Sequence, residues 1–233
     1  MKQLQLFEED LILTSHETKN DALDLLRELK NRGAVLGTDE VGTGALAGPM
    51  AAAAVFLTDL QEKELLLAGL KDSKKLKAPE REEIFSLMEE LGVLWKITFG
   101  SISMIEQYNV LSTALWSMAQ SVFKIEKEIR EPIACVVVDG SRRIPELDEL
   151  PPERKILQWP LVKADAIIPA VSAASVVAKV VRDRLMSVLD MIYPEYDFAN
   201  NKGYPTSEHR KAILEKGLSK IHRKSFCKKI KLI

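Results

Sequence analysis

The sequence of 233 residues contains few cysteines and no long apolar run. Only Cys135 and Cys227 are present, which provides neither a disulfide framework nor the spacing of a metal site. No apolar stretch is long enough to span a bilayer, and the first residues, MKQLQLFEEDL, are acidic and mixed, unlike a signal peptide. We therefore expect two free thiols, a cytoplasmic protein and no membrane partner.

The sequence also lacks an overall basic charge, since its formal net charge is −1. The charges are nevertheless distributed unevenly along the chain. Residues 209–233 contain nine Lys or Arg and one acid, Glu215, so this segment carries +8 and the rest of the chain carries −9. A basic segment beside an acidic body is typical of a surface that binds a polyanion, although a solvated terminal helix has the same composition.

Hydrophobic residues make up 46% of the chain, which is enough for a full core in one domain. Segments with helical periodicity alternate with apolar segments typical of strands. The pattern predicts helices at 20–33, 78–92, 109–129, 169–192 and 207–215, and strands at 34–39, 50–58, 93–101 and 133–140. This alternation favours an α/β fold.

Acidic residues stand at the ends of two of these predicted strands. Asp39 and Glu40 end the first strand, Asp139 ends the valine-rich strand, and Asp165 precedes the helix that begins near Pro169. Ligand sites of open α/β sheets lie at the carboxyl ends of strands, so the four carboxylates meet if the two strands are neighbours. Such a cluster repels itself unless cations fill it, and carboxylate oxygens suit Mg²⁺ or Mn²⁺. Each acid alone is more often a turn former or a helix cap.

A glycine-rich segment, GTGALAG at residues 42–48, follows the first two acids. A dinucleotide-binding fingerprint requires a helix directly after its glycines, whereas Pro49 and an apolar stretch follow here, so we expect a return to a strand. Gly42 and Gly44 would let the backbone approach a ligand and bind a phosphate or a sugar hydroxyl. A tight hairpin loop with no ligand is the structural alternative.

Six motifs occur together in an order that resembles bacterial ribonuclease HII: DEVGTGALAGP, KDSKKL, VVVDG, VKADAIIPAVSAASVVAKVVRD, GYPTSEH and HRKSF. Their combination is specific where any one motif would not be. The resemblance spans about residues 35–226. It implies a ribonuclease H-like mixed sheet of five strands flanked by helices, with a helical C-terminal extension. We accordingly expect an N-terminal helical extension at 1–33, a catalytic domain at 34–192 and a basic, helical, substrate-binding region at 193–233.

The resemblance implies an endonuclease that hydrolyses the RNA strand of RNA–DNA hybrids and cuts 5′ of ribonucleotides embedded in duplex DNA. The products would carry a 3′-hydroxyl and a 5′-phosphate. Catalysis and metal binding would fall to Asp39, Glu40, Asp139 and Asp165, which would hold two Mg²⁺ or Mn²⁺ ions about 3.5–4 Å apart. The expected partners are therefore these two nucleic acids, and a monomer is expected.

The resemblance also implies substrate-binding residues. The glycine loop would read the ribose 2′-hydroxyl, and a tyrosine would pack on the sugar next to the junction. Lysines would contact phosphates, and serines would hydrogen-bond near the scissile group. The set comprises Gly42, Thr43, Gly44, Lys74, Lys75, Lys163, Ser172, Ser175 and Tyr204. The two serines fit equally well as small residues for helix packing, and the tyrosine also fits a core position.

Thr43 departs from the Gly-Arg-Gly loop that is usual in the family and resembles the sister enzyme ribonuclease HIII. That enzyme also has an added N-terminal substrate-binding domain and a glutamate as its fourth acid, whereas about thirty residues precede the first strand here and Asp165 is present. Two alternatives stay open: a preference for runs of ribonucleotides, and a DNA-directed nuclease or transposase of the same fold. The GTG and GYPT motifs count against the second, because such an enzyme need not read a 2′-hydroxyl.

Overall fold

The computed structural model describes residues 19–70 and 76–228. Residues 1–18 of the expected N-terminal extension, Lys74 and Lys75, and residues 229–233 lie outside this part. The strands are β1 (Ala34–Val41), β2 (Met50–Phe56), β3 (Leu94–Gly100), β4 (Ile133–Asp139) and β5 (Leu157–Leu161). The helices are α1 (Lys19–Lys30), α2 (Asp59–Leu67), α3 (Ala78–Glu90), α4 (Ile102–Tyr108), α5 (Val110–Glu126), α6 (Pro145–Asp148), α7 (Pro169–Ile192), α8 (Phe198–Asn201), α9 (Ser207–Lys216) and α10 (Lys224–Cys227).

The five strands form one mixed sheet in the order β3-β2-β1-β4-β5. Strand β1 pairs antiparallel with β2 and parallel with β4. Strand β3 joins β2 in antiparallel fashion, and β5 joins β4 in parallel fashion. The expected fold class is confirmed, and β1 and β4, whose ends carry acids, are neighbours.

Helices cover both faces of this sheet. Helix α7 packs on one face together with α3, and α5 packs on the other. The four alanines of β2, at residues 51–54, are completely buried between these two layers. Their small side chains allow the helices to approach from both sides, which explains why a strand forms from residues with low strand propensity.

Helix α7 approaches the sheet closely at Gly37 in β1. A Cβ atom at this position would lie 2.3 Å from the carbonyl carbon of Ala170 and from the backbone nitrogen of Val171. Only glycine therefore allows the first turn of α7 to rest on β1. The contact directs the following turns of the helix along the half of β1 that carries Asp39.

Three features differ from the sequence-based expectation. The pattern does not predict β5, because this strand contains Pro160, yet β5 pairs with β4 alone and edge strands tolerate proline. It also does not predict α2, which begins at a capping box formed by Thr58 and Gln61. The pattern also does not predict α4, which Asn109 at a φ of 70° separates from α5, the helix expected at 109–129.

The C-terminal helices pack on the segment that links β1 and β2. Leu46 and Ala47 share an apolar cluster with Met186, Phe198 and Ile213. The Leu46 N–H also donates a hydrogen bond of 2.7 Å to the carbonyl of Gly203. No helix within residues 19–70 and 76–228 has the length and apolar composition that a bilayer span requires.

Candidate active site

Three aspartates meet at the carboxyl edge of the sheet. The parallel register sets Thr38 opposite Val138, so Asp39 and Asp139 follow side by side on β1 and β4. Asp165 belongs to a short 3-10 turn, Ala164–Ala166, which follows β5. One carboxylate oxygen from each aspartate lies within 4.8 Å of those of the other two. The expected convergence of strand ends is therefore observed for these three residues.

Hydrogen bonds fix the orientation of the carboxylates. The Ala164 N–H donates to Asp139 Oδ1 at 2.8 Å, which ties the turn after β5 to the end of β4. Asp39 Oδ1 accepts the N–H of Glu40 at 2.8 Å, and Ser175 of α7 also hydrogen-bonds the Asp39 carboxylate. These hydrogen bonds fix the positions of the carboxylate oxygens before a cation binds.

Burial and mutual repulsion oppose ionisation at this edge. Asp39 is only 5% exposed, and its pKa is raised to about 6, chiefly by burial and also by the charge of Asp139, although the charge of Lys179 opposes this rise. Burial likewise raises the pKa of Glu40 to about 7, with added repulsion from Asp39 and Asp139. A bound cation would favour the ionised forms, and this all-oxygen donor set is the type that Mg²⁺ and Mn²⁺ prefer.

Glu40 lies beside the three aspartates and outside the group whose oxygens converge. Successive side chains of a strand point to opposite faces, so Asp39 and Glu40 leave β1 on different faces. The charges of Asp39 and Asp139 nevertheless act on Glu40. Of the four carboxylates predicted to meet, three form a compact cluster and Glu40 flanks it.

The two glycines of the loop have different surroundings. Gly42 has a φ of +84°, and a Cβ atom there would lie 2.3 Å from Nε of Arg182, so the fold requires glycine at this position. Gly44 is exposed, and a Cβ atom there would have no heavy atom within 4 Å. Thr43 between them is half-buried. No contact among the described residues requires a glycine at position 44.

Two buried arginines support the loop. Arg182 and Arg223 are both 0% exposed, which is unusual for charged side chains. Arg182 donates to the carbonyl of Pro49 at 2.9 Å. Arg223 donates to Gly48 O at 2.9 and 3.0 Å and to Thr43 O at 3.2 Å. Burial, together with the charge of Arg182, lowers the pKa of Arg223 to about 10.

Sequence reasoning did not assign these arginines a role. Both arginines occur within motifs that carry the family resemblance, VKADAIIPAVSAASVVAKVVRD and HRKSF. Their place in these motifs is the one feature of the sequence that points to a role for them. Arginine in a helix or a basic tail is normally solvated, so its burial could not be predicted from local sequence.

The remaining predicted substrate-binding residues have varied positions. Tyr204 is half-buried, and its hydroxyl accepts the N–H of Gly42 at 3.2 Å. Lys163 is exposed directly before the turn that contains Asp165. Ser172 and Ser175 are both buried in α7, and Ser175 Oγ accepts a hydrogen bond from Lys179 Nζ at 2.6 Å. Ser175 also hydrogen-bonds the Asp39 carboxylate, so it links this carboxylate to Lys179.

The chain is similar to known proteins along most of its length. Residues 36–229 match the family model for ribonuclease HII. The chain is 41% identical to the ribonuclease HII of Halorhodospira halophila over 198 residues, which covers 84% of this chain and 94% of that protein. The PCNA:RNase HII complex from Archaeoglobus fulgidus contains a chain with a TM-score of 0.65 and 27% identity, covering 81% of this chain and 91% of that one. The structure of Bst-RNase HIII in complex with Mn²⁺ shares the fold, with a TM-score of 0.61 and 20% identity over 83% of this chain and 64% of that one.

Proposed function

Because the chain belongs to the ribonuclease HII family and is a ribonuclease H, we propose that it cuts 5′ of ribonucleotides embedded in duplex DNA as well as hydrolysing the RNA strand of RNA–DNA hybrids. The observation that carries this proposal is the position of the glycine loop relative to the acids. Gly42 follows the end of β1, the strand that carries Asp39 and Glu40. A ribose held against the loop would therefore have its adjoining phosphate close to the carboxylates.

We assign the metal-binding role to Asp39, Glu40, Asp139 and Asp165, with two Mg²⁺ or Mn²⁺ ions. The fit rests on the donor chemistry, since three carboxylate oxygens lie within 4.8 Å of one another and the pKa values of Asp39 and Glu40 are raised. When bound, two such ions would activate the attacking water and stabilise the leaving oxygen. The protein holds two of these metal-binding carboxylates in fixed orientations, because the Ala164 N–H and Ser175 hydrogen-bond to them.

We assign recognition of the ribose to the backbone of residues 42–44 and to Tyr204. The open space at Gly44 leaves room for a sugar to contact the backbone, and the hydroxyl of Tyr204 fixes the first amide of the loop. A 2′-hydroxyl both donates and accepts hydrogen bonds, so backbone groups can distinguish it from the hydrogen of deoxyribose. Lys163 at the exposed rim is suited to a phosphate, and the same role is proposed for Lys74 and Lys75.

Thr43 bears on the choice between single ribonucleotides and runs of them. If backbone groups read the ribose, threonine in place of arginine removes only a side-chain contact with a phosphate. We therefore expect the wild type to cut at a single ribonucleotide. Thr43→Arg should chiefly strengthen binding, and the gain should diminish as salt is added.

Initial rates on three DNA duplexes test this function: one with a single ribonucleotide, one with four in a row, and one with none. We expect wild type and Thr43→Arg to cut the first two at the 5′ side and to leave the third intact. No cleavage at the single ribonucleotide by wild type, restored by Thr43→Arg, would instead favour a ribonuclease HIII-like preference. Cleavage of the all-deoxy duplex would favour a DNA-directed nuclease.

A second proposal concerns a protein partner. The archaeal relative was solved in a complex with PCNA. Residues 3–7 of this chain, QLQLF, place three apolar side chains among polar ones, in a segment outside the described residues. A short segment of this composition suits an apolar pocket on a partner, where aromatic and aliphatic side chains supply most of the binding energy. We propose that residues 3–7 bind a replication clamp of the PCNA type.

Affinity of the full chain for the clamp of its own host, measured by calorimetry, tests this partner. Leu6→Ala and Phe7→Ala together should abolish binding and leave cleavage of short substrates unchanged. Leu11→Ala and Ile12→Ala form the matched control, because they remove similar apolar surface just outside the segment. Equal affinity of both double variants and wild type would eliminate the proposal.

A further inference from the structure

Two histidines form a buried pair in the C-terminal region. The Nε2 atoms of His209 and His222 are 3.0 Å apart, and both rings are buried against Tyr196 and Phe198. Because neither ring touches the carboxylate cluster in the described structure, the chemistry proposed above does not use them. The hydrogen-bond partners of the two rings indicate which part of the structure the rings stabilise.

The partners at the two ends fix the direction of the hydrogen bonds. The N–H of Ser219 donates to Nδ1 of His222 at 2.9 Å, so this nitrogen carries no proton. The carbonyl of Tyr204 can only accept, so Nδ1 of His209, at 2.8 Å from it, must carry one. In neutral rings, Nε2 of His222 then donates to Nε2 of His209. The chain of bonds runs in one direction, from Ser219 through both rings to Tyr204.

Neither ring can take up a second proton without losing a bond. A proton on His222 Nδ1 would face the N–H of Ser219, and one on His209 Nε2 would face the N–H of His222. Burial lowers the pKa of His209, with Arg210 acting in the same direction. Burial also lowers the pKa of His222 to about 4, with a further contribution from His209. The lowered pKa values of both histidines agree with two neutral rings.

Two residues next to the histidine pair contact the glycine loop. Tyr204, whose carbonyl accepts from His209, uses its hydroxyl to accept the N–H of Gly42. Arg223, the residue after His222, donates to the carbonyls of Thr43 and Gly48. The histidine pair thus connects Tyr204, which contacts the amide of Gly42, with the segment that carries Arg223.

We propose that the His209–His222 pair is a positioning device for the glycine loop. As a directed pair of hydrogen-bonded neutral rings, it fixes the backbone of Tyr204 and, through the hydroxyl of Tyr204, the amide of Gly42. The pair touches no substrate and acts only through these two residues. The inference rests on the proposed role of the loop in reading ribose, and its tests include measurements made without substrate.

The imidazole ¹⁵N spectrum of the wild type tests the direction of the bonds. The chain has three histidines, so assignment by single substitution is simple. At pH 7 we expect His209 as the Nδ1–H tautomer and His222 as the Nε2–H tautomer. The reverse tautomers, or a cation at either ring, would overturn the proposal.

Two substitutions at one position test the coupling to Tyr204. In His209→Asn the amide nitrogen occupies the place of Nδ1 and still donates to Tyr204, whereas in His209→Gln the side chain reaches His222 and no longer donates to Tyr204. Both variants lose the ring, so a purely structural role predicts equal effects. We expect His209→Gln to raise the KM for a duplex with one ribonucleotide about tenfold above that of His209→Asn, with kcat similar in both.

Amide hydrogen exchange at Gly42, measured without substrate, separates this inference from the proposed function. Exchange should be faster in His209→Gln than in His209→Asn. If that difference is seen while the wild type fails to cut at ribonucleotides, the positioning role stands and the proposed function fails. Equal exchange at Gly42 in the two variants would overturn the positioning role, whatever the wild type cuts.

Discussion

Asp139 belongs to the carboxylate cluster, and its charge raises the pKa of both Asp39 and Glu40. We expect Asp139→Asn to abolish turnover, because a metal-binding carboxylate is lost. The metal-free variant should nevertheless be at least as stable as the wild type. One repelling charge is gone, and the asparagine Oδ1 can still accept the Ala164 N–H.

This gain in stability should depend on pH. The folded-state pKa values of Asp39 and Glu40, about 6 and 7, lie above those of the unfolded chain, so their protonated forms stabilise the fold at low pH. That contribution is lost as the pH rises from about 4 through 7. Urea unfolding with chelator should therefore show a larger advantage of Asp139→Asn at pH 8 than at pH 5. Asp24→Asn at an exposed position is the control, and an advantage that does not change with pH would contradict the account.

Substitutions at Gly42 and Gly44 distinguish what the fold requires of the loop from what substrate binding requires. Gly42→Ala should cost roughly 1–3 kcal/mol of stability, since its backbone has positive φ and Arg182 occupies the space of a Cβ atom. Gly44→Ala should change stability by less than about 0.5 kcal/mol but raise the KM for ribonucleotide substrates. Thermal unfolding and steady-state kinetics measure both effects. An unchanged KM in Gly44→Ala would show that the open side of the loop does not face the sugar.

At the scale of elements, the sequence predicts what local periodicity determines. The valine-rich strand β4 and the helices α3, α7 and α9 are long, periodic or bounded by clear stop signals, so their approximate bounds are predicted from the sequence. Strand β5 forms despite Pro160 because it lies at an edge of the sheet. The support of the glycine loop was not predictable, since Arg223 is separated from Gly48 by 175 residues in sequence.

In the candidate site, too, some features are predictable from local sequence and others depend on the tertiary structure. The positions of Asp39 and Asp139 follow from two strand ends, whereas the separation of Glu40 from the cluster depends on the pleat of β1. Ser175 was expected near the scissile group, yet its contact with Asp39 depends on how α7 lies on β1. The expected division into domains at residues 33 and 192 stays a prediction.

Gly37→Ala tests whether the packing of α7 on β1 controls the site. The added Cβ atom meets the backbone of Ala170 and Val171 at 2.3 Å, so the helix must shift. We expect a loss of about 2–3 kcal/mol in urea unfolding, together with lower kcat because Ser175 moves away from Asp39. Gly92→Ala is the control. It lies at positive φ in open space, so it should cost about 1 kcal/mol and leave kcat unchanged.

At the scale of the whole molecule, the basic C-terminal segment combines two roles. Arg223 is buried and supports the loop, whereas Lys220, Lys224 and Lys228 are exposed. Deleting everything after Lys220 would remove both kinds of residue at once. Substitution of the exposed lysines alone therefore tests electrostatic binding more cleanly.

We expect the triple change Lys220→Gln, Lys224→Gln and Lys228→Gln to weaken substrate binding and flatten its salt dependence. Each lost phosphate contact should reduce the slope of log K against log salt by about 0.9. Lys127→Gln with Arg130→Gln is the control, because both residues are exposed near the far end of α5, away from the carboxylate edge. Equal slopes for wild type and the triple variant would show that these lysines are only solvated surface.

The central claim is that the carboxylate edge and the glycine loop act together on a phosphate next to a ribose. The most direct measurement is single-turnover cleavage of two duplexes that differ only in one 2′-hydroxyl, with Mg²⁺ or Mn²⁺ and with chelator. We predict a cut 5′ of the ribonucleotide that requires the added ion, leaves a 5′-phosphate, and is absent from the all-deoxy duplex and from Asp139→Asn. Equal cleavage of the two duplexes, or cleavage that persists in Asp139→Asn, would contradict the account.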